Sequence, residues 1–100
     1  MKFVQIIDFE TERLEDMQKV LQEAGQRNAG KAGGPTYRML LKDRDKPNRY
    51  VALLEFESYD EAMRNSGDPE TGNLAEQLGA LCIGERLYTN LDVLESGELK

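Results

Sequence analysis

The stretch Arg49-Tyr-Val-Ala-Leu-Leu-Glu-Phe-Glu57 decides the fold of this 100-residue chain. Successive side chains of a strand point to opposite faces, and both faces of this stretch are apolar. One face carries Tyr50, Ala52, Leu54 and Phe56, and the other carries Val51 and Leu53. Because a strand with two apolar faces has to be covered on both sides, it is predicted to lie in the middle of a sheet.

Three further segments have the alternation of strands: residues 2–9, 36–42 and 87–93. Residues 43–48 have the composition of a turn, with aspartate, asparagine and Pro47, so the second and third strands are predicted to form an antiparallel hairpin. A turn centred near residues 45 and 46 sets the pairing. It places Leu40 opposite Ala52, Lys42 opposite Tyr50, and Tyr37 opposite Glu55.

Apolar residues at three- and four-residue spacing predict helices between the strands. The first is predicted to begin at the cap Thr11, to bury Leu14, Met17, Leu21 and Ala24, and to end at Gly25. The glycine-rich connection that follows, with Lys31, fits neither common phosphate-loop spacing and is predicted to be a flexible linker.

The second helical region is predicted to be broken near Gly67. Ser58-Tyr-Asp-Glu61 has the pattern of a capping box that opens a short helix to Ser66. Asp68 followed by Pro69 then starts a second segment, since proline suits the first helical position. An apolar stripe of Leu74, Leu78 and Leu81 runs along it to about residues 82–84.

This order predicts an α+β, ferredoxin-like βαββαβ fold for residues 1–100 as a single domain, with a four-stranded antiparallel sheet and both helical regions on one face. The helices can cover only that face, whereas the strands are apolar on both. A second copy packed sheet to sheet would bury roughly 1,500 Å² or more of mainly apolar surface. We therefore predict a homodimer that forms an α+β barrel.

The composition excludes several functional classes. Thirteen basic and 19 acidic residues give a net charge of −6, which disfavours nucleic acid as a partner. There is no histidine, and one cysteine, Cys82, cannot form an intramolecular disulfide or a cysteine-built metal site. No apolar run is long enough for a membrane span or a signal peptide. We expect a cytoplasmic protein with no membrane partner, metal or cofactor.

The strand order, the two-faced strands and the segment Ser58-Tyr-Asp-Glu-Ala-Met63 resemble the dimeric α+β barrel superfamily. This group includes antibiotic-biosynthesis-type monooxygenases, stress-responsive barrel domains and many small uncharacterised bacterial proteins. Residues 42–48 (Lys-Asp-Arg-Asp-Lys-Pro-Asn) and 89–93 (Thr-Asn-Leu-Asp-Val) resemble uncharacterised actinobacterial members. The resemblance covers nearly the whole chain at the level of pattern.

The resemblance implies a pocket between the helices and the sheet of each protomer, which the partner's last strand often helps to close. The cofactor-independent monooxygenases of the superfamily draw on tryptophan, asparagine and histidine, and its haem-degrading members on similar side chains. This chain has neither tryptophan nor histidine. No catalytic residue can therefore be carried over.

Polar side chains set among apolar strand residues are the remaining candidates for a site, since a buried polar group needs a partner. The predicted ligand-binding residues are Gln5, Tyr37, Arg38, Tyr50 and Asn90, which would orient a small, mostly apolar molecule. In the alternative, Gln5 and Asn90 hydrogen-bond across the dimer, and Arg38 pairs with a carboxylate at its rim.

Three hypotheses of function remain open at this stage. The protein binds a small apolar molecule without converting it, or it is a cofactor-independent monooxygenase or isomerase acting on an aromatic or polyketide-like substrate. In the third, it is a structural dimer module without a ligand. A pocket with convergent polar groups would favour the first two, and turnover would separate them.

Overall fold

The computed structural model describes residues 1–28 and 33–100, and gives seven elements in the predicted order. The strands are β1 (Phe3–Glu10), β2 (Tyr37–Lys42), β3 (Arg49–Phe56) and β4 (Leu87–Asp92), and the helices are α1 (Leu14–Asn28), α2 (Tyr59–Ser66) and α3 (Pro69–Ala80). The glycine-rich linker lies partly outside the described residues, at 29–32.

The four strands form one antiparallel sheet in the order β2-β3-β1-β4. The predicted hairpin register is confirmed: Leu40 pairs with Ala52, Lys42 with Tyr50, and Tyr37 with Glu55. The opening stretch, β3, lies between β2 and β1 as an inner strand. This confirms the ferredoxin-like α+β prediction.

The helices pack against the side of the sheet that carries Phe3 and Phe9. One buried cluster joins Phe3 and Phe56 to Ala62 of α2. The second joins Phe9 and Tyr50 to Met17 of α1 and includes residues at the end of α3, namely Leu78, Leu81 and Cys82. Both clusters use the same alternation of the strands, so we call this the helix-facing side.

The helix boundaries follow the capping signals with two exceptions. The Ser58 hydroxyl accepts the backbone N–H of Glu61 at 3.1 Å, and Asp68 caps α3 by accepting the N–H of Glu70 at 2.9 Å. Gly25 does not end α1, which continues to Asn28. Glycine costs only about 1 kcal/mol inside a helix, and the apolar stripe that ends in buried Ala24 offsets this cost.

The second exception is Thr11, which lies three residues before α1 begins at Leu14. Its hydroxyl accepts the backbone N–H of Arg13 at 3.0 Å and donates to the carbonyl of Leu81 at 2.6 Å. The side chain is 1% exposed. Thr11 therefore joins the start of α1 to the end of α3 instead of acting as a simple helix cap.

None of the described helices packs against the opposite side of the sheet, which has apolar residues on all four strands. We call it the open face; its apolar residues are Val4, Ile6, Tyr37, Met39, Leu41, Val51, Leu53, Leu87 and Leu91. Tyr37 is 52% exposed, Leu41 41% and Met39 39%. The second copy predicted from the sequence would cover these exposed side chains.

Candidate functional site

One row of residues crosses the helix-facing side of the sheet and brings together three of the predicted site residues. The register aligns Arg38 with Leu54, Leu54 with Gln5, and Gln5 with Asn90. We call these four residues the central row. It runs from one edge strand of the sheet to the other, with an apolar side chain between its polar ends.

The central row lies between the two buried clusters. Leu54 packs against the cluster of Phe3 and Phe56, whereas the next row, with Ala52 and Ile7, belongs to the cluster around Phe9. Each cluster therefore fills one end of the space between helices and sheet. Polar side chains are placed at the junction of the two clusters, where an apolar residue would continue the core.

The amide groups of Gln5 and Asn90 hydrogen-bond to each other within the protomer. Gln5 Nε2 donates to Asn90 Oδ1 at 3.2 Å, and the pair remains accessible to solvent. A primary amide has two N–H donors and a carbonyl acceptor, so this bond uses only part of the pair's capacity. Within residues 1–28 and 33–100, the other N–H and carbonyl groups of the Gln5 and Asn90 side chains make no further side-chain hydrogen bond. They are available to a ligand or to water.

Arg38 stands at the β2 end of the row as an exposed cation. Among the described residues it forms no ion pair, whereas Lys2, Arg13, Arg49 and Arg64 each contact a carboxylate. The alternative in which Arg38 pairs with a carboxylate thus finds no partner within the described protomer. The guanidinium is available for a planar anion, which it can bind through two parallel hydrogen bonds.

A second arginine, two rows from Asn90 along the same strand face, is already engaged. Arg86 Nη1 donates to the carbonyl of Ala75 in α3 at 3.0 Å, and its guanidinium carbon lies 5.7 Å from the centre of the Tyr88 ring. A methyl group on Gly79 would come within 2.9 Å of Arg86, so glycine leaves the room for this contact. Arg86, Tyr88 and Asn90 follow each other on one face of the strand.

The other two predicted site residues lie elsewhere. Tyr50 is 8% exposed and its ring stacks on Phe9, with the ring centroids 5.8 Å apart, so it contributes to the core. Tyr37 lies on the open face and cannot share a protomer's central row with Gln5 and Asn90. Arg86 was not among the predicted site residues, although its spacing of two and four residues from Tyr88 and Asn90 indicates the same strand face.

At one end of the open face an ion cluster joins two strands to the hairpin turn. Arg49 contacts the carboxylate of Asp8 and donates through Nη1 to Asp43 at 2.7 Å. Asp43 also accepts the backbone N–H groups of Asp45 and Lys46. These N–H bonds, and then Arg49, hold the pKa of Asp43 below its usual value, and Asp43 in turn raises the pKa of Arg49.

Cys82 is not set up as a nucleophile. Burial raises the pKa of its thiol, and the sulfur lies 3.3 Å from the carbonyl of Leu78, to which it can donate. Within the described part of the chain, no group of three or more histidine, cysteine, aspartate or glutamate side chains could hold a metal ion. No helix there is long and apolar enough to cross a membrane.

A groove lies between residues 33–36 and α2, and its lining includes no residue of the central row. It has a volume of about 540 Å³ and is lined by polar and charged groups, among them Glu57, Arg64 and Asp68. The Arg64 guanidinium there is already paired with Glu61 at 3.0 Å. The groove therefore differs from the central row, whose cation has no carboxylate partner in the described residues.

Comparison with known proteins identifies the class of fold. SnoaB, a cofactor-independent oxygenase from Streptomyces nogalater, is 20% identical over 95% of this chain and 95% of its own, with a TM-score of 0.77. A candidate antibiotic biosynthesis monooxygenase from Caulobacter crescentus is 14% identical over 94% and 91%, with a TM-score of 0.79. Rv0793 from Mycobacterium tuberculosis is 17% identical over 98% and 100%, with a TM-score of 0.75.

No protein-family model matches the sequence, and no curated protein matches it. The structural likeness spans nearly the whole chain at low identity, so it establishes the fold alone. The chain has the α+β fold of antibiotic-biosynthesis-monooxygenase-like proteins, as the sequence resemblance predicted.

Proposed function

We propose that this protein is a homodimer that binds a small, mostly apolar molecule between the helices and the sheet of each protomer. The observation that carries the proposal is the central row: an amide pair with spare hydrogen-bonding groups, aligned with an arginine that has no carboxylate partner in the described residues. Gln5, Arg38 and Asn90 are its proposed polar contacts, and Leu54 is its apolar floor.

The physical case for this site rests on the placement of solvent-accessible polar groups beside a core. No buried side-chain polar atom of the described residues lacks a partner, and the exposed amide pair can be completed by water in the free protein. Gln5 and Asn90 satisfy each other only in part. A ligand with a carbonyl or hydroxyl group would complete their hydrogen bonding, and its apolar body would cover Leu54.

The proposed dimer rests on the open face. Its apolar residues form a continuous patch in the middle of the sheet, with charged groups at both ends: the Lys2–Glu55 pair at one end, and Arg49 with Asp8 and Asp43 at the other. An apolar centre with a polar rim is the usual anatomy of a protein interface. Two copies related by a two-fold axis would each cover the other's patch.

Ligand binding is tested with a fixed panel of two- and three-ring aromatic phenols, ketones and carboxylic acids, observed by saturation-transfer NMR. We expect at least one compound to bind the native protein and to bind Gln5→Ala and Asn90→Ala at least 5-fold more weakly, at about 1 kcal/mol per lost hydrogen bond. Gln18→Ala, on the exposed surface of α1, is the matched control and should bind as the native protein does.

Two results would reject this site. If no compound of the panel binds, the protein is better described as a structural dimer module. If compounds bind equally well to the native protein and to both amide variants, they occupy another place, such as the groove beside α2.

The free thiol of Cys82 fits the reducing cytoplasm, which we propose as the location of the protein.

The second candidate function is cofactor-independent oxygenation of an aromatic substrate. It is favoured by the likeness to SnoaB, a cofactor-independent oxygenase that matches this fold along 95% of both chains. Oxygen consumption, measured with an electrode for each bound compound in the absence of added metal and flavin, tests it. Uptake that depends on Asn90 would support an enzyme, whereas tight binding without uptake would support a binding protein.

A further inference from the structure

Arg38 is the cation of the central row, and the register aligns it through Leu54 with the Gln5–Asn90 amide pair. Like several other basic side chains, among them Lys42, it forms no ion pair within residues 1–28 and 33–100. Its place in the row therefore distinguishes Arg38 from the other cations. The acidic side chain nearest to it in the register, Glu55, points to the open face and is paired with Lys2 at 3.8 Å.

From these observations we infer that the proposed site selects anions: a carboxylate or phenolate of the ligand pairs with Arg38, and a carbonyl or hydroxyl at the ligand's other end bonds to the Gln5–Asn90 pair. This inference rests on the proposed function and specifies its ligand class. A guanidinium presents its N–H groups in a flat fork that matches a carboxylate, whereas the amide pair suits a neutral oxygen.

The register also gives the size of the ligand. Neighbouring strands lie about 4.8 Å apart, and two such steps separate Arg38 from Gln5. The anionic group and the neutral oxygen should therefore be on the order of 10 Å apart, with Leu54 beneath the atoms between them. A flat body of two or three fused rings with its polar groups at opposite ends fits this span.

The competing explanation is that Arg38 protects an exposed sheet edge. β2 is an edge strand, and charged side chains on edge strands oppose aggregation. Lys42 separates the two explanations because it lies on the same strand, on the same face, and is also exposed. Its row contains only the buried rings of Tyr50 and Phe9, so Lys42 has no amide group opposite it. If the two cations only protect the sheet edge, replacing Arg38 or Lys42 should have the same effect on ligand binding. If the site selects anions, only the replacement of Arg38 should remove the preference for an anionic ligand.

The test uses 6-hydroxy-2-naphthoic acid and its methyl ester, which carry their two polar groups at opposite ends of two fused rings and differ in the charge of one of them. Dissociation constants are measured by calorimetry for the native protein and for Arg38→Gln, Lys42→Gln and Gln5→Ala. We expect the native protein to bind the acid about 10- to 100-fold more tightly than the ester, the range for hydrogen bonds to charged groups. Arg38→Gln should remove this preference, Lys42→Gln should keep it, and Gln5→Ala should weaken both compounds.

Each other outcome has a distinct meaning. Equal binding of acid and ester, with both weakened in Gln5→Ala, overturns anion selection and leaves the proposed site intact. An acid preference that falls equally in Arg38→Gln and Lys42→Gln also overturns the inference, because it shows general attraction to a basic edge. If neither compound binds any form of the protein at millimolar concentration, the inference fails. The proposed function is then judged separately on the panel.

Discussion

Replacing Leu53 by glutamate is expected to separate the two protomers without unfolding either. Leu53 lies on the open face of the inner strand β3, directly between Ile6 and Met39 in the register. It belongs to neither of the buried clusters that join the helices to the sheet. A charge at this position therefore meets the partner copy and not the protomer's own core.

The magnitude follows from the dimensions of the sheet. Six residues at about 3.3 Å each, across four strands about 4.8 Å apart, give roughly 380 Å² of sheet plane per copy. Two copies then cover about 760 Å² of plane, and protruding side chains add to this, toward the roughly 1,500 Å² of accessible surface predicted from the sequence. The plane alone, if wholly apolar, is worth about 19 kcal/mol at 25 cal/mol per Å², and the association cost of about 4–15 kcal/mol leaves about 4–15 kcal/mol. The middle of this range, about 10 kcal/mol, corresponds to a dimer at micromolar concentration.

A buried, unpaired carboxylate in this interface would cost several kcal/mol, and the two-fold axis repeats it in the second copy. A combined cost of about 6 kcal/mol weakens association on the order of 10⁴-fold. Sedimentation velocity at micromolar concentration should show a dimer for the native protein and a monomer for Leu53→Glu. Gln18→Glu, which adds the same charge to the exposed surface of α1, should remain a dimer.

Circular dichroism of Leu53→Glu should retain the native spectrum, because the helix-facing clusters are untouched. A native protein that sediments as a monomer would refute the assignment of the open face as an interface. So would a Leu53→Glu variant that stays dimeric, since a second copy seated on this face could not accommodate both carboxylates.

Three further substitutions test the contacts that shape the protomer. Thr11→Val should lower the free energy of unfolding by about 1–3 kcal/mol in urea titrations, because it leaves the Leu81 carbonyl without its donor. Thr11→Ser keeps the hydroxyl and should lose only about 0.8 kcal/mol, the contribution of one buried methyl group. At pH values above the ordinary pKa of 3.8, the charged form of Asp43 stabilises the fold, and this stabilisation is lost as the pH falls through the lower pKa of the folded state. The free energy of unfolding of Asp43→Asn should therefore fall less steeply in acid than that of the native protein. Gly79→Ala should raise the melting temperature more in an Arg86→Ala background than in the native protein, because in the native protein the new methyl group displaces the Arg86 guanidinium.

The sheet was predictable because its signals are local and repeated. Period-two alternation identified all four strands, and the turn chemistry of residues 43–48 set the hairpin register correctly. The break at Gly67 was also predictable, since Ser58 and Asp68 are strong caps. The end of α1 was not, because a glycine inside a helix has only a small cost, and the apolar stripe that overrides it acts through tertiary packing.

The site was predictable only in part, because residue type does not reveal which neighbours a side chain meets. Gln5, Arg38 and Asn90 share a row as the result of three strand pairings, two of which join distant parts of the chain. Tyr37 differs from Arg38 by one position and thereby falls on the other side of the sheet. Tyr50 has the same amphipathic character as an exposed tyrosine, and only the packing of α1 shows that it is buried.

The inner strand β3 separates the two proposed roles of the sheet. Its even-numbered residues, with Leu54, support the central row, and its odd-numbered residues, with Leu53, form the centre of the open face. Because neighbouring side chains point in opposite directions, a change at Leu53 leaves the row intact within the protomer. Measuring ligand binding in the monomeric Leu53→Glu variant therefore tells whether the central row of one copy is sufficient. Unchanged affinity would show that each protomer carries a complete site, and lost affinity in a folded monomer would show that the partner supplies part of it.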